Sequence, residues 1–174
     1  MNYFQLFGVP AQFDLDLTDI GSRYLELQRS CHPDNFAAAS ERDRLLAVQQ
    51  AANINDAYHS LKHPLLRAEH LLALRGLKIS NEQRSFTDPA FLMQQMELRE
   101  ALAEIEDADE PEQVLADTER LIQQQKKQLL QQLSAALDAG EPQQDQLAAE
   151  LIRKLKFFFK LQQELELIEQ QLQD

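Results

Sequence analysis

The sequence predicts an all-α protein, and three observations carry the prediction. The 174 residues include only four glycines, six prolines and no tryptophan. Leu, Gln, Glu and Ala, all strong helix formers, fill most of the rest. Apolar residues recur at steps of three and four through most of the chain, the period of a helix with one buried stripe. Proline and glycine fall between the periodic stretches, where they punctuate helices.

The elements follow in order. Tyr3 to Leu6 form a short first helix, ended by the Gly8-Val9-Pro10 turn. A second helix starts at Thr18 as N-cap, with Ile20, Tyr24, Leu27 and Cys31 along one stripe. His32-Pro33-Asp34 stops it, because proline cannot continue a helix and pushes its predecessor out of helical geometry. A third helix runs from about Ser40 to Lys62, with Leu45, Val48, Ala52, Asn55, Tyr58 and Leu61 on one side, until Pro64 breaks the pattern. Leu65 to Arg75 form a short fourth helix closed by Gly76.

Leu77 to Asp88 are polar and irregular and read as a linker. Three long helical patterns follow, Asp88–Ala108, Glu112–Ala139 and Gln143–Gln173, punctuated by Pro111 and by Gly140 to Pro142. In the last, Leu147, Leu151, Leu155, Phe158, Leu161, Leu165, Ile168 and Leu172 form the seam of a bundle. Short connections make this an antiparallel three-helix bundle. The expected domains are therefore 1–76, a linker over 77–87, and 88–174.

Composition excludes several functions. The net charge is -12, and residues 1–76 carry seven Lys and Arg against nine Asp and Glu, leaving -10 for the remainder. Nucleic-acid binding needs a basic surface, so it is not expected; the acidic second half suits a protein with a basic patch. No apolar run nears the roughly 20 residues of a membrane span, and the first ten residues lack a signal-peptide pattern. The chain is expected to be soluble, intracellular and cytoplasmic, with no membrane partner. Cys31 is the only cysteine, which excludes a disulfide scaffold and leaves too few thiolates for an iron-sulphur cluster. His59 and His63 stand four apart, but a structural zinc site needs about four ligands and only Glu69 and His70 lie near in sequence. A solvated pair is the expectation, with no metal and no cofactor. No glycine-rich phosphate loop or nucleophile elbow occurs, so there are no catalytic residues to assign and the protein is not expected to be an enzyme.

Two surfaces stand out. His32 and Asp34 place an imidazole and a carboxylate at an exposed interhelical turn, which a packed core does not require. The second surface follows from helical geometry at about 100° per residue. Phe91, Leu98, Leu102 and Ile105 share one side and suffice for a core stripe. Leu92, Met93 and Met96 fall roughly opposite, and Glu97, Glu100 and Glu104 continue that second face. An apolar patch bordered by carboxylates is surplus to folding and fits a partner with a basic rim. From the residues alone, packing against the rest of the chain or against a dimer mate fits equally well. Phe157 and Phe159 flank the seam residue Phe158, and either could extend the patch or fill a groove beside it.

The first 70 residues resemble a J-domain, the module by which J-proteins engage heat-shock chaperone ATPases. The resemblance rests on Tyr3-Phe4-Gln5-Leu6-Phe7-Gly8-Val9, the stripe of helix two, His32-Pro33-Asp34 between two helices, and Ile54-Asn55-Asp56-Ala57-Tyr58-His59-Ser60-Leu61 followed by Pro64 and Arg67. The whole chain further resembles the HscB family, J-type co-chaperones of iron-sulphur cluster assembly. That closer match rests on Ala90-Phe91-Leu92-Met93, Glu97-Leu98-Arg99-Glu100, Glu104-Ile105-Glu106 and Arg153-Lys154-Leu155-Lys156-Phe157.

The resemblance implies an N-terminal J-domain followed by a three-helix scaffold-binding domain. Its implied partners are an HscA-type chaperone ATPase and an IscU-type scaffold protein, the scaffold being bound, delivered and the ATPase stimulated. For chaperone binding it implies His32, Pro33 and Asp34, with Arg23 and Arg29 as the cations of helix two. For scaffold binding it implies Leu92, Met93, Met96, Glu97, Glu100 and Glu104, and it selects Phe157 of the flanking pair. Ser22, Leu25, Glu26 and Ser30 stand where general J-domains place Lys or Arg, which points to a dedicated partner. Asn35 replaces a common basic residue, and His70 a common Tyr. Two other readings use the same features: a general J-protein delivering unfolded clients to a DnaK-type chaperone, and a non-catalytic helical adaptor.

Overall fold

The computed structural model describes residues 1–79 and 88–174; from residue 80 onward the expected linker lies outside the described residues. Among the described residues the regular structure is helical, in the order α1 (Tyr3–Phe7), α2 (Leu17–Ser30), a 3-10 turn (Pro33–Phe36), α3 (Glu41–Lys62), α4 (Pro64–Leu74), α5 (Pro89–Glu104), α6 (Pro111–Ala139) and α7 (Pro142–Gln173). None of these helices is long and apolar enough to cross a membrane.

Local chemistry sets the boundaries. Asn2 and Gln5 form a capping box at α1, Gln5 N donating to Asn2 Oδ1 at 2.8 Å and Asn2 N to Gln5 Oε1 at 3.0 Å. Gly8 ends that helix with φ 65°, a left-handed conformation that disfavours any residue with a Cβ. The cap of α2 is Asp16, whose carboxylate takes the N–H groups of Thr18 and Asp19. This corrects the expected Thr18, because the carboxylate two residues earlier reaches the same orphan donors. Pro64 ends α3 at Lys62 as expected, turning His63 extended, and also opens α4 as its first residue, with His63 as cap; Pro89, Pro111 and Pro142 likewise open their helices.

The chain divides into two compact units. The first holds residues 1–78 and also 136–145, the tip of the hairpin joining α6 to α7. The sequence reading kept 88–174 together; the tip departs because Arg75, capping α4, donates to Asp145 Oδ1 and to the Leu137 carbonyl, each at 2.8 Å. The core of this unit includes Phe4, Phe7, Ile20, Ile54, Ala57, Leu61, Ala68, Leu71 and Leu72. Tyr24 of α2 stacks on Tyr58 of α3 at 4.0 Å and donates to Asn55 at 2.7 Å. The buried face of α3 is Ala47, Ile54, Ala57 and Leu61. Leu45, Val48, Ala52 and Asn55 are exposed, against the stripe read from sequence, because the true 3.6-residue period drifts away from steps chosen to include them.

In the second unit, residues 79–135 and 146–174, the core joins α5, α6 and α7. Phe91, Leu98, Leu102 and Ile105 pack with Leu115, Ile122, Phe158, Leu161 and Leu165. The α7 seam is buried at Leu151, Leu155, Phe158, Leu161 and Leu165, partly buried at Ile168 and Leu172, and exposed at Leu147. At that end of α7 the next two residues, Ala148 and Ala149, take the buried face instead.

Candidate functional site

The first candidate surface is the corner after α2. Cys31 caps α2 and is buried, which anchors the corner from below. His32 then turns extended, with φ -61° and ψ 136°, the conformation a following proline enforces. Its Nδ1 accepts the Asp34 N–H at 3.2 Å, so His32 caps the 3-10 turn and keeps its ring proton on Nε2, the nitrogen not used in the cap. Pro33 occupies the first position of that turn, and Asn35 N donates to the His32 carbonyl at 3.0 Å. The Asp34 carboxylate lies 3.5 Å from His32 Nδ1, and its side chain is 91% exposed. An acceptor group is thus displayed to solvent on a backbone fixed by its neighbours.

Sequence reasoning missed what Asn35 does. Its Nδ2 donates to the Arg29 carbonyl at 2.6 Å, tying the turn to the last residues of α2. The preference of Asn for local side-chain bonds to backbone was the available signal. The two cations differ. Arg23 pairs with Asp19 at 2.8 Å and donates to the carbonyls of Phe7 and Gly8 at 3.0 and 3.3 Å, so it fastens α2 to the end of α1. Arg29 is exposed one turn before the corner. His63 of the histidine pair accepts the Leu65 N–H at 3.2 Å as the cap of α4.

The second candidate surface is the outer face of α5. Asp88 caps the helix, accepting from Ala90 N at 3.1 Å and Phe91 N at 3.3 Å, and pairs with Lys154 Nζ at 3.3 Å. The hydrogen bond from Lys154, assisted by those cap bonds, holds its carboxyl below the usual carboxylate range. With Phe91, Leu98 and Leu102 turned inward, Leu92 is 42% exposed and Met93 and Met96 are each 66% exposed. Glu97, Glu100 and Glu104 are exposed on the same face. The structure therefore brings six of the seven expected residues onto one ridge.

The seventh, Phe157, is only partly buried and lies at the edge of the core cluster. It meets Phe91 edge-on at 5.8 Å and Phe158 at 5.4 Å, and the Arg99 guanidinium sits 5.6 Å over its ring. Arg99 is held by Glu164. Beside the ridge, Asp88, Phe91, Met93, Glu97, Leu129 and Lys154 line an open cavity of about 510 Å³. The Asp88–Lys154 bond, which braces α5 against α7 there, was not foreseen: the two residues are 66 apart in sequence.

A family model described as the HSCB C-terminal oligomerisation domain matches residues 87–166. The chain is 52% identical over 172 residues to the co-chaperone protein HscB homolog of Vibrio campbellii, the match covering 99% of each. Among solved structures it is similar to the chaperone HscB from Vibrio cholerae, with TM-score 0.89, 49% identity and 99% of each chain covered. It is also similar to human co-chaperone protein HscB, with TM-score 0.88 and 28% identity, covering 97% of this chain and 82% of that one.

Proposed function

The chain belongs to the HscB co-chaperone family, and from that premise we propose that it binds an IscU-type iron-sulphur scaffold, delivers it to an HscA-type chaperone and stimulates that chaperone's ATPase. Its fold is a J-domain followed by a C-terminal helical domain, and its relatives are co-chaperones, which act on another protein's cycle instead of catalysing a reaction themselves.

The observation that carries the reading is the α5 ridge. Its helix already buries a complete apolar stripe, so three exposed apolar side chains beside three carboxylates have no work to do in the fold. A folded partner with apolar side chains inside a basic rim matches such a surface. Arg99 over Phe157 limits how much of that ring a partner can reach, so Phe157 contributes as an edge contact and as packing beneath Phe91.

At the corner, the Asp34 carboxylate accepts charge-assisted hydrogen bonds from an arginine of the chaperone, while His32 bonds alongside it through Nε2, the nitrogen not used in the cap. Binding of this kind favours the hydrolysis-competent state of the partner, a population shift requiring no chemistry here. Arg29 supplies local attraction; Arg23 keeps α2 in place.

Two substitutions separate the surfaces. Asp34→Asn abolishes stimulation of chaperone ATPase turnover while scaffold affinity, by titration calorimetry, stays within two-fold. Combined Met93→Ala and Glu97→Ala does the reverse. Joint loss of both activities in either variant with the fold intact would refute the division. A second reading, in which the ridge seats another copy of the chain, is favoured by the oligomerisation named in the matching family description. Sedimentation separates the two: that reading requires the double variant to shift the monomer-dimer balance.

A further inference from the structure

The ridge carries two of the chain's three methionines. Met93 and Met96 lie one helical turn apart on one face and are equally exposed at 66%. The single thiol, Cys31, is buried. Access decides which sulphur an oxidant meets, and here it favours the thioethers: Met1, 95% exposed, and the two in the middle of a docking surface.

We propose that Met93 and Met96 form a redox modification site, at which a peroxide-class oxidant converts both to sulfoxides and so releases the scaffold, while the His32–Asp34 corner keeps its competence. The inference rests on the reading of the ridge as the scaffold surface. In each step a sulphur lone pair attacks one peroxide oxygen, the O–O bond breaks and an S–O bond forms. The departing hydroxide takes the proton of the transferred oxygen and leaves as water, so the thioether loses two electrons and the peroxide gains them.

The ridge makes the product hard to bury. A sulfoxide oxygen only accepts hydrogen bonds, and each methionine has a glutamate one turn on, Glu97 after Met93 and Glu100 after Met96, which when ionised also only accepts. Neither glutamate offers the new oxygen a donor, and the cations beside the ridge, Lys154 and Arg99, are held by Asp88 and Glu164, so an apolar partner surface has to strip water from poorly paired oxygens. Met93 also lines the cavity beside Phe91 and Leu129, where the new oxygen replaces an apolar wall. The chemistry is reversible by methionine sulfoxide reductases, one for each epimer.

The test treats the full chain with hydrogen peroxide, maps sulfoxides by peptide mass spectrometry and titrates it against purified IscU-type scaffold before and after treatment. Expected are sulfoxides at both positions and roughly ten- to hundred-fold weaker binding, the penalty for burying an unpaired acceptor. Reductase treatment restores binding, and stimulation of the chaperone without scaffold does not change. In Met93→Leu with Met96→Leu, the ratio of affinities before and after peroxide stays near one, whatever the starting affinity. Met93→Gln with Met96→Gln weakens binding without any oxidant. Oxidised wild type binding within two-fold of the reduced protein overturns the proposal, as does equal peroxide sensitivity in the leucine variant. If untreated Met93→Ala with Met96→Ala binds scaffold as wild type does, it is the docking surface itself that is wrong, a failure distinct from that of the switch.

Discussion

Arg67 is a buried cation that ties three segments of the first unit together, and its removal gives a quantitative test. The guanidinium is buried, with Nε donating to the Phe13 carbonyl at 2.6 Å and Nη1 to the Leu61 carbonyl at 2.7 Å. It also stacks 4.8 Å from the Phe13 ring. Burial lowers its pKa from the ordinary arginine value, and the charge of Asp14 opposes that shift. Arg67→Ala deletes two charge-assisted hydrogen bonds, about 1.5–3 kcal/mol each. The cation's desolvation cost disappears with it and offsets part of that loss, so the net destabilisation is about 3 kcal/mol. Arg67→Lys retains a point charge that serves one carbonyl and not both, and should lose about half as much. The assay is built into the sequence: there is no tryptophan, and the three tyrosines, Tyr3, Tyr24 and Tyr58, all lie in the first unit. Urea unfolding followed by tyrosine fluorescence therefore tracks that unit alone. A loss below about 1 kcal/mol in the alanine variant, or a lysine variant as stable as wild type, would refute the forked-donor account.

Three further outcomes are expected. His70 accepts the Tyr3 N–H at 3.3 Å and stacks on its ring, and burial lowers its pKa. The unfolded chain therefore takes up the proton first, so this contribution is complete above the ordinary value near 6.5 and is lost as pH falls through it; tyrosine-monitored unfolding at pH 7.5 and 5.5 measures the loss, which should shrink in His70→Gln. Asn35→Ala removes the clamp on the Arg29 carbonyl and should reduce ATPase stimulation several-fold while shifting stability by no more than about 1 kcal/mol; a large drop in melting temperature with stimulation intact would contradict it. Lys154→Gln should raise the Asp88 carboxyl toward its ordinary value, read by carboxyl carbon NMR titration, because the largest cause of its lowered pKa has gone. In that variant the remaining cap bonds still hold it somewhat low.

Much of this was legible in the chain, for identifiable reasons. Every long helix was found because its apolar period runs over many turns, and in α5 the separation of Phe91, Leu98, Leu102 and Ile105 from Leu92, Met93 and Met96 is the one observed. Positions at helix ends were less legible. Thr18 looked like a cap because threonine caps often do, yet Asp16 does the work. Pro64 read as a break and proved a first turn as well, since proline stops one helix and starts the next with equal ease. α5 ends at Glu104, four residues short of the expected Ala108, its closing residue Ile105 being fully buried. The exposure of Leu45 and Val48 had a local signal that the chosen steps overrode: at about 100° per residue both fall across α3 from Leu61. Long-range polar contacts were invisible because they depend on which elements lie against one another: nothing near Arg23 announces the Phe7 and Gly8 carbonyls, and nothing near Arg75 announces Asp145.

That last bond bears on how the chain is made and cut. Because Asp145 and the Leu137 carbonyl complete the surroundings of Arg75, a fragment ending at residue 78 would carry an arginine stripped of both acceptors. A growing polypeptide leaving the ribosome, likewise, does not close its leading module until residue 145 has emerged. Swapping that module between proteins calls for two splice points and not one.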